Sequence, residues 1–371
     1  MDKLSPKHFL FLMIAAVTVA LKTYPMVFMD AGRDTWVAVC VSSVLIFVVF
    51  VYLVATVKRT PDITLTKIYQ ISCGNFLGKA LIILYCVALF MTLVESASIE
   101  SDSMHQNMLV ETPTWYFLIF FIVPAVYVVR KNVICVAIIV IIGISLIMVA
   151  GIHLGILTMQ QKEVADLFPI FKKGVTGSFW LSMLKSLGQY GFLSITLPYL
   201  SCIGYKREQL VKYTIIALLI IIQIQIVSIT GIFMTFDPQT AVSYYYPKLI
   251  QTHLVSYFEM LEFGELYVML QILGGWLMKY LVAFQGMLLI LSSLGLKERA
   301  LKWTAFLLSA VVLGAAWFAS GTSVRLFSLL GFIPWISLVN FVVIPLIVFT
   351  LFRIRHKNSA TQLGKQSGLS N

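Results

Sequence analysis

Apolar residues in this chain gather into long blocks, parted by short charged or polar interruptions. The blocks lie near 9–29, 36–57, 80–98, 114–129, 133–157, 178–203, 213–235, 266–294, 303–319 and 331–352. Each is about long enough to cross the roughly 30 Å hydrocarbon layer of a bilayer as a helix. The pattern predicts ten spans. Ten divide as five plus five, and because five is odd the second set crosses in the opposite sense to the first, so any repeat is inverted.

Two blocks break their own pattern. Span 1 carries Lys22 and Pro25 inside "AVTVALKTYPMVF", and span 6 reads "MLKSLGQYGFLSITLPYL", with Lys185, Gly188, Gly191 and Pro198. Proline removes a backbone donor and crowds the preceding turn, glycine tolerates positive φ, and backbone groups freed in hydrocarbon must find other partners. A small polar ligand can be such a partner, and interrupted helices at matched places in two halves point to a mid-membrane binding site. Taken alone, either interruption also fits a simple kink in a packed helix.

Ionisable groups inside spans are costly, roughly 2.5–3.5 kcal/mol for a lysine at a helix centre on insertion scales, and so are functional candidates. Lys279 in "GGWLMKYLVAFQG" falls near the middle of span 8, too deep to reach either surface, where it is placed to exchange a proton. Lys22 lies two-thirds along span 1, within reach of the outer interface, and Lys185 is expected to snorkel inward. The available counter-charges are Glu95 and Glu100 at the end of span 3, with Asp102 beyond; Glu95, the deepest, reads either as a functional charge or as a marker of the outer interface, and Glu100 reads as a boundary residue. The candidate ligand-binding set is therefore Thr18, Ala20, Lys22, Thr23, Tyr24, Pro25, Glu95, Ser186, Gly188, Gln189, Gly191 and Lys279.

Composition sharpens the class. Hydrophobic residues make up 60% and charged residues 12%, with a mean hydropathy of +0.93, which describes an integral membrane protein. The net charge of +11 is not gathered into a basic domain, so nucleic acid is not expected as a partner. With the N-terminus in the cytoplasm, 18 of the 27 Lys and Arg residues fall inside, among them Arg59, and six outside, among them Lys173. Both termini are then cytoplasmic. Span 1 lacks a small-residue cleavage site and is expected to be retained. The transmembrane domain is expected over 1–357 (repeat 1 about 8–157, repeat 2 about 178–319, helix 10 about 331–352), with 358–371 a disordered cytoplasmic tail. The segment before span 8 reads as interfacial helices with Tyr244–Tyr246 as belt residues. Five cysteines without metal spacing, five isolated histidines and no nucleotide, zinc or hydrolase motif lead us to expect no metal, no cofactor and no enzyme.

Several stretches taken together resemble the membrane-embedded B subunits of bacterial spore germinant receptors, the spore germination permease family within the amino acid, polyamine and organocation superfamily. They are "DAGRDTWVA" with Asp34 and Trp36, Glu95 leading to "LVETP", "DLFPIFKKG", "ITLPYL", "YYYPKLIQ", "LEFGELYVMLQI" with Glu262 and Glu265, and the closing "LLGFIPWISLVNFVVIPLIVFTLFRIRHK". The resemblance implies an all-α, ten-helix, LeuT-like fold with a five-plus-five inverted repeat and discontinuous helices 1 and 6. It implies an A subunit and a lipoprotein C subunit as partners in the spore inner membrane, beside membrane lipid. Two features depart from the family pattern: Phe263 replaces an arginine, and Thr18, Val19 and Ala20 stand where span 1 usually has glycine. Lys22 then distinguishes this chain, as a fixed cation or as a donor to an anionic ligand.

The expected function is to bind a small germinant, an amino acid, between spans 1, 3, 6 and 8 and to signal to partner subunits. The alternative is a proton-coupled amino-acid permease using the same pocket.

Overall fold

The computed structural model describes residues 3–58, 60, 62–172, 174–253 and 263–367. The chain opens with α1 (Pro6–Val17), α2 (Ala20–Thr23), a 3₁₀ turn over Pro25–Phe28 and α3 (Thr35–Val57). It continues through α4 (Leu65–Cys73), α5 (Asn75–Asn107), α6 (Thr114–Val129), α7 (Val133–Leu157) and α8 (Gly177–Tyr190), which tightens into a 3₁₀ helix over Gly191–Cys202. There follow α9 (Leu210–Phe233), α10 (Pro238–Ser243), α11 (Pro247–His253), α12 (Phe263–Ser293), α13 (Glu298–Ala319), α14 (Ser323–Leu330) and α15 (Ile333–Ser337). A π-helical stretch over Leu338–Val343 leads into α16 (Ile344–Ser367).

The described residues form helices and no named strand, and eight helical segments are long and apolar enough to cross a membrane. Two further expected spans fall short of that measure: α6 has 16 residues, and the sixth is split between α8 and its 3₁₀ continuation. Helix α16 continues to Ser367, into the segment assigned above to a disordered tail.

Three prolines explain where the helices change form. Leu21, Ser194 and Phe341 each precede by four residues a proline (Pro25, Pro198, Pro345), so the regular α-helical donor for their carbonyls does not exist. Each carbonyl accepts a side chain from elsewhere: Leu21 from Gln225 Nε2 at 3.2 Å, Ser194 from the Tyr85 hydroxyl, and Phe341 from the Ser194 hydroxyl. These bonds tie span 1 to α9, span 6 to α5 and span 10 to span 6. In hydrocarbon, where water cannot substitute, they are what allows the helices to deviate.

At the end of the bundle that holds the N-terminus, Arg207 closes the structure. Its guanidinium donates to the carbonyls of Leu200 (2.7 Å), Ile203 (2.8 Å), Val57 (3.1 Å), Thr60 (3.2 Å) and Lys58 (3.3 Å). A cation at helix C-termini satisfies orphan carbonyls and opposes their partial negative charge. Leu4 pairs through its backbone with Cys202 and Gly204 beside it.

Candidate functional site

Span 1 loses its regular ladder at Thr18–Val19 and again at Tyr24, whose backbone leaves the helical region (φ −130°, ψ 60°). That second break turns the Tyr24 ring into the bundle, where it meets α5, α8 and α12. The Tyr24 hydroxyl donates to Glu95 Oε1, and Gln189 Nε2 donates to the Tyr24 oxygen at 3.3 Å. Lys279 Nζ lies 2.9 Å from both Glu95 oxygens. All four side chains are buried, Lys279 at 0% exposure.

Aromatic rings complete the shell. Lys279 Nζ sits 3.3 Å from the Phe192 ring centre and 4.9 Å from that of Trp276, and Trp276 stacks on Tyr24 with centroids 5.9 Å apart at 15°. The negative ring faces add to the carboxylate in holding the ammonium. Trp276 Nε1 is buried without a protein acceptor among the described residues. The arrangement holds an amine and a carboxylate in contact, 2.9 Å apart, inside a shell of aromatic rings.

Of the twelve candidates, Tyr24, Glu95, Gln189 and Lys279 converge on this cluster. Thr18, Lys22 and Thr23 instead line a cavity of about 320 Å³ on the other side of span 1, between α1, α7, α9 and α12. Lys22 and Tyr24 are two residues apart, roughly 200° around a helix, so the chain divides cluster from cavity. Ala20 and Pro25 are buried in the packing of span 1. Ser186 turns to α3, 2.7 Å from the Ser42 hydroxyl. Gly188 and Gly191 pack against span 10: a Cβ on Gly188 would lie 2.0 Å from the Pro334 carbonyl oxygen, and one on Gly191 2.8 Å from Ser337 Oγ.

Other expectations shift as well. Lys185 does not reach inward: it pairs with Asp30 at 2.8 Å, on the side where α8 begins, because the break after span 1 brings Asp30 there. Glu100 is buried inside the bundle, 3% exposed. Tyr246 is no belt residue; it is buried and donates to Asp102 at 2.6 Å, and burial together with that carboxylate keeps its phenol well above the usual pKa. Asp34 accepts from the Phe171 backbone at 2.8 Å and Arg33 donates to the Phe168 carbonyl, so "DAGRDTW" and "DLFPIFKKG" hold each other. Arg59, Lys173 and Glu262 lie outside the described residues.

Phe192, Trp276 and Gln225 were not among the sequence candidates. Trp276 had a signal, since it precedes Lys279 by three residues and so shares its helix face. Phe192 and Gln225 had none, as their roles depend on the packing of distant spans.

Compared with known proteins, the family model for spore germination proteins matches residues 3–324. The chain belongs to that family. Its fold is similar to a crystal structure of MhsT in complex with L-phenylalanine, with a TM-score of 0.67 over 95% of this chain and 89% of that one, at 14% identity. The spore germination protein thus shares the fold of a LeuT-like transporter. No curated protein matches its sequence. The likeness to MhsT is one of fold, and the apolar helices of membrane length make the chain a multi-pass membrane protein.

Proposed function

We propose that this spore germination protein is the membrane subunit of a germinant receptor, binding a zwitterionic amino acid at the Glu95–Lys279 pair and signalling to partner A and C subunits. The observation that carries the reading is the closed cluster of Tyr24, Glu95, Gln189 and Lys279 at the break in span 1. A zwitterion brings both charges: its carboxylate faces Lys279 and its ammonium faces Glu95 among the aromatic rings. A ligand with one charge alone leaves the other buried partner unmatched, at a cost of about 3–5 kcal/mol, or more than a hundredfold in affinity. Separating Glu95 from Lys279 alters how span 1 and α5 meet α12, and a ligand that favours the separated state shifts that equilibrium.

The reading includes a ten-helix, five-plus-five inverted repeat. It is supported by α1 packing on α9 while α3 packs on α8, which are the same relation with the two halves exchanged. It also places both termini in the cytoplasm and the protein in the spore inner membrane. The amino acid found in MhsT, L-phenylalanine, suits an aromatic-lined site. A second reading, a proton-coupled amino-acid permease, is favoured by the same buried pair, since a carboxylate and an amine in contact can pass a proton.

Calorimetric titration of the purified protein with L-amino acids, and with their methyl esters and decarboxylated amines, tests the site. Binding confined to zwitterions, and lost in Lys279→Met, is expected; equal binding of the amines removes the pair from the site. Accumulation of labelled amino acid in proteoliposomes under a proton gradient would select the permease reading.

A further inference from the structure

On the far side of span 1 from the ion pair, the 320 Å³ cavity collects three lysines from three separate segments: Lys22 on α2, Lys162 after α7, and Lys248 on α11. A methyl group built on Gly231 of α9 would lie 3.4 Å from Lys162 Cε and 3.6 Å from Lys248 Nζ, so these two amines flank one point. Their own contacts are long ones to neutral oxygens, Lys162 to the Gly155 carbonyl at 3.5 Å and Lys248 to Gln251 at 3.3 Å. Among the described residues no aspartate or glutamate lines the cavity. Ser228 Oγ and Gln271 Nε2, both on its wall, are buried with no hydrogen-bond partner among the described residues.

Beside a few neutral polar side chains such as Thr158 and Gln223, most of the wall is apolar, with Ile147, Met148, Ile152, Ile224, Val227 and Ile272. Helices α7 and α9 each pack on α1, and two exposed lining residues, Ile152 of α7 (64% exposed) and Val227 of α9 (52% exposed), mark the rim. The cavity is therefore basic at one end, apolar along its length and open sideways toward the hydrocarbon.

We infer that this slot binds an anionic phospholipid, its phosphate among Lys22, Lys162 and Lys248 and its acyl chain entering between α7 and α9. Three amines gathered with no carboxylate among the described lining residues repel one another as they take up protons, which an anion relieves, and basic pockets between membrane helices recognise acidic headgroups. The lateral opening and apolar wall select a lipid over a free anion. The lipid touches Lys22 and Thr18 on the back of the same segment that carries Tyr24, so its presence bears on the span that forms the ion-pair cluster.

The test is native mass spectrometry of the full chain in neutral detergent, titrated with short-chain phosphatidylglycerol, with phosphatidylcholine of the same chains, and with glycerol phosphate. Phosphatidylglycerol is expected to be retained over phosphatidylcholine, with a loss of roughly fivefold for each lysine replaced in Lys22→Met, Lys162→Gln and Lys248→Gln. Ile152→Trp, at an exposed position that tolerates bulk, is expected to weaken the lipid and leave the three lysines intact. Equal retention of the two lipids, or unchanged retention in the triple variant with its thermal melt preserved, overturns the proposal. Binding of glycerol phosphate as tight as the lipid, indifferent to Ile152→Trp, overturns it in favour of a soluble anion.

Discussion

Lys279 and the group of Lys22, Lys162 and Lys248 lie on opposite sides of span 1, and both bring ammonium groups into the interior of an apolar bundle. Lys279 is fully buried, with a carboxylate at 2.9 Å and aromatic rings around it. The three lysines are half-buried, with no carboxylate among the described lining residues and a wall that opens sideways. A charge satisfied by its own protein builds structure and resists removal; charges left facing one another store an affinity for something outside. The two sites should therefore respond to substitution in opposite ways.

The largest effect is expected at the matched pair. Glu95→Gln leaves the Lys279 ammonium buried with no counter-charge and should destabilise the protein by about 3–5 kcal/mol, read as a loss of thermal stability in detergent. The double substitution Glu95→Leu with Lys279→Met removes both charges and should recover most of that stability, because a buried ion pair is often matched by apolar residues of similar size. Amino-acid binding should be absent in both. Recovery of stability without recovery of binding separates the structural role of the pair from its role in recognition.

The next effect tests how rigidly the cluster is held. Gly188 carries the backbone of α8 against α15, and Gly188→Ala would drive a methyl into the Pro334 carbonyl, with an overpacking cost of about 1–3 kcal/mol. Gln225→Leu leaves the Leu21 carbonyl without its donor and should cost about 0.6–2 kcal/mol, by the same thermal measurement. If Gln225→Leu abolishes amino-acid binding while Gly188→Ala only lowers stability, then the form of span 1 governs the site and the seat of span 6 does not.

These residues also mark what the sequence could carry. Lys279 and Glu95 were legible because a charge in hydrocarbon demands a reason, and Tyr24 because it adjoins Pro25. Gly188 was legible as unusual, but its side-chain gap faces another helix, and a glycine that admits a ligand reads the same as one that admits a backbone. The clustering of Lys22 with Lys162 and Lys248 was not legible, since it joins segments more than a hundred residues apart through the path of α7 and α9. The overall fold was the easier part: long apolar blocks leave few alternatives to spanning helices, whereas the partner of each freed carbonyl depends on packing that no local pattern encodes.

The smallest effect is also the one that best separates the two lysine environments. Lys248 is pushed down to about 7, first by burial and then by the charges of Lys22 and Lys162. The titratable groups facing it are Lys22 from span 1, Lys162 from the segment after α7, and Tyr246 beside α11, while α9 and α12 offer only Gln223, Ser228 and Gln271 among the described lining residues. Because the folded protein releases this proton at about 7 and the unfolded chain holds it to the usual lysine value of 10.5, the unfolded state binds more protons between those limits, and this group's contribution to stability rises with pH across them. Anionic lipid should move the other way, held less well as Lys248 loses its charge. Thermal melts and lipid retention measured from about pH 6 to about pH 9 are expected to show these opposing contributions as the difference between the native protein and Lys248→Gln, in which both slopes lose the Lys248 share. Parallel slopes would mean that the lysines are not crowded against one another, and the contrast between the two sides of span 1 would fail.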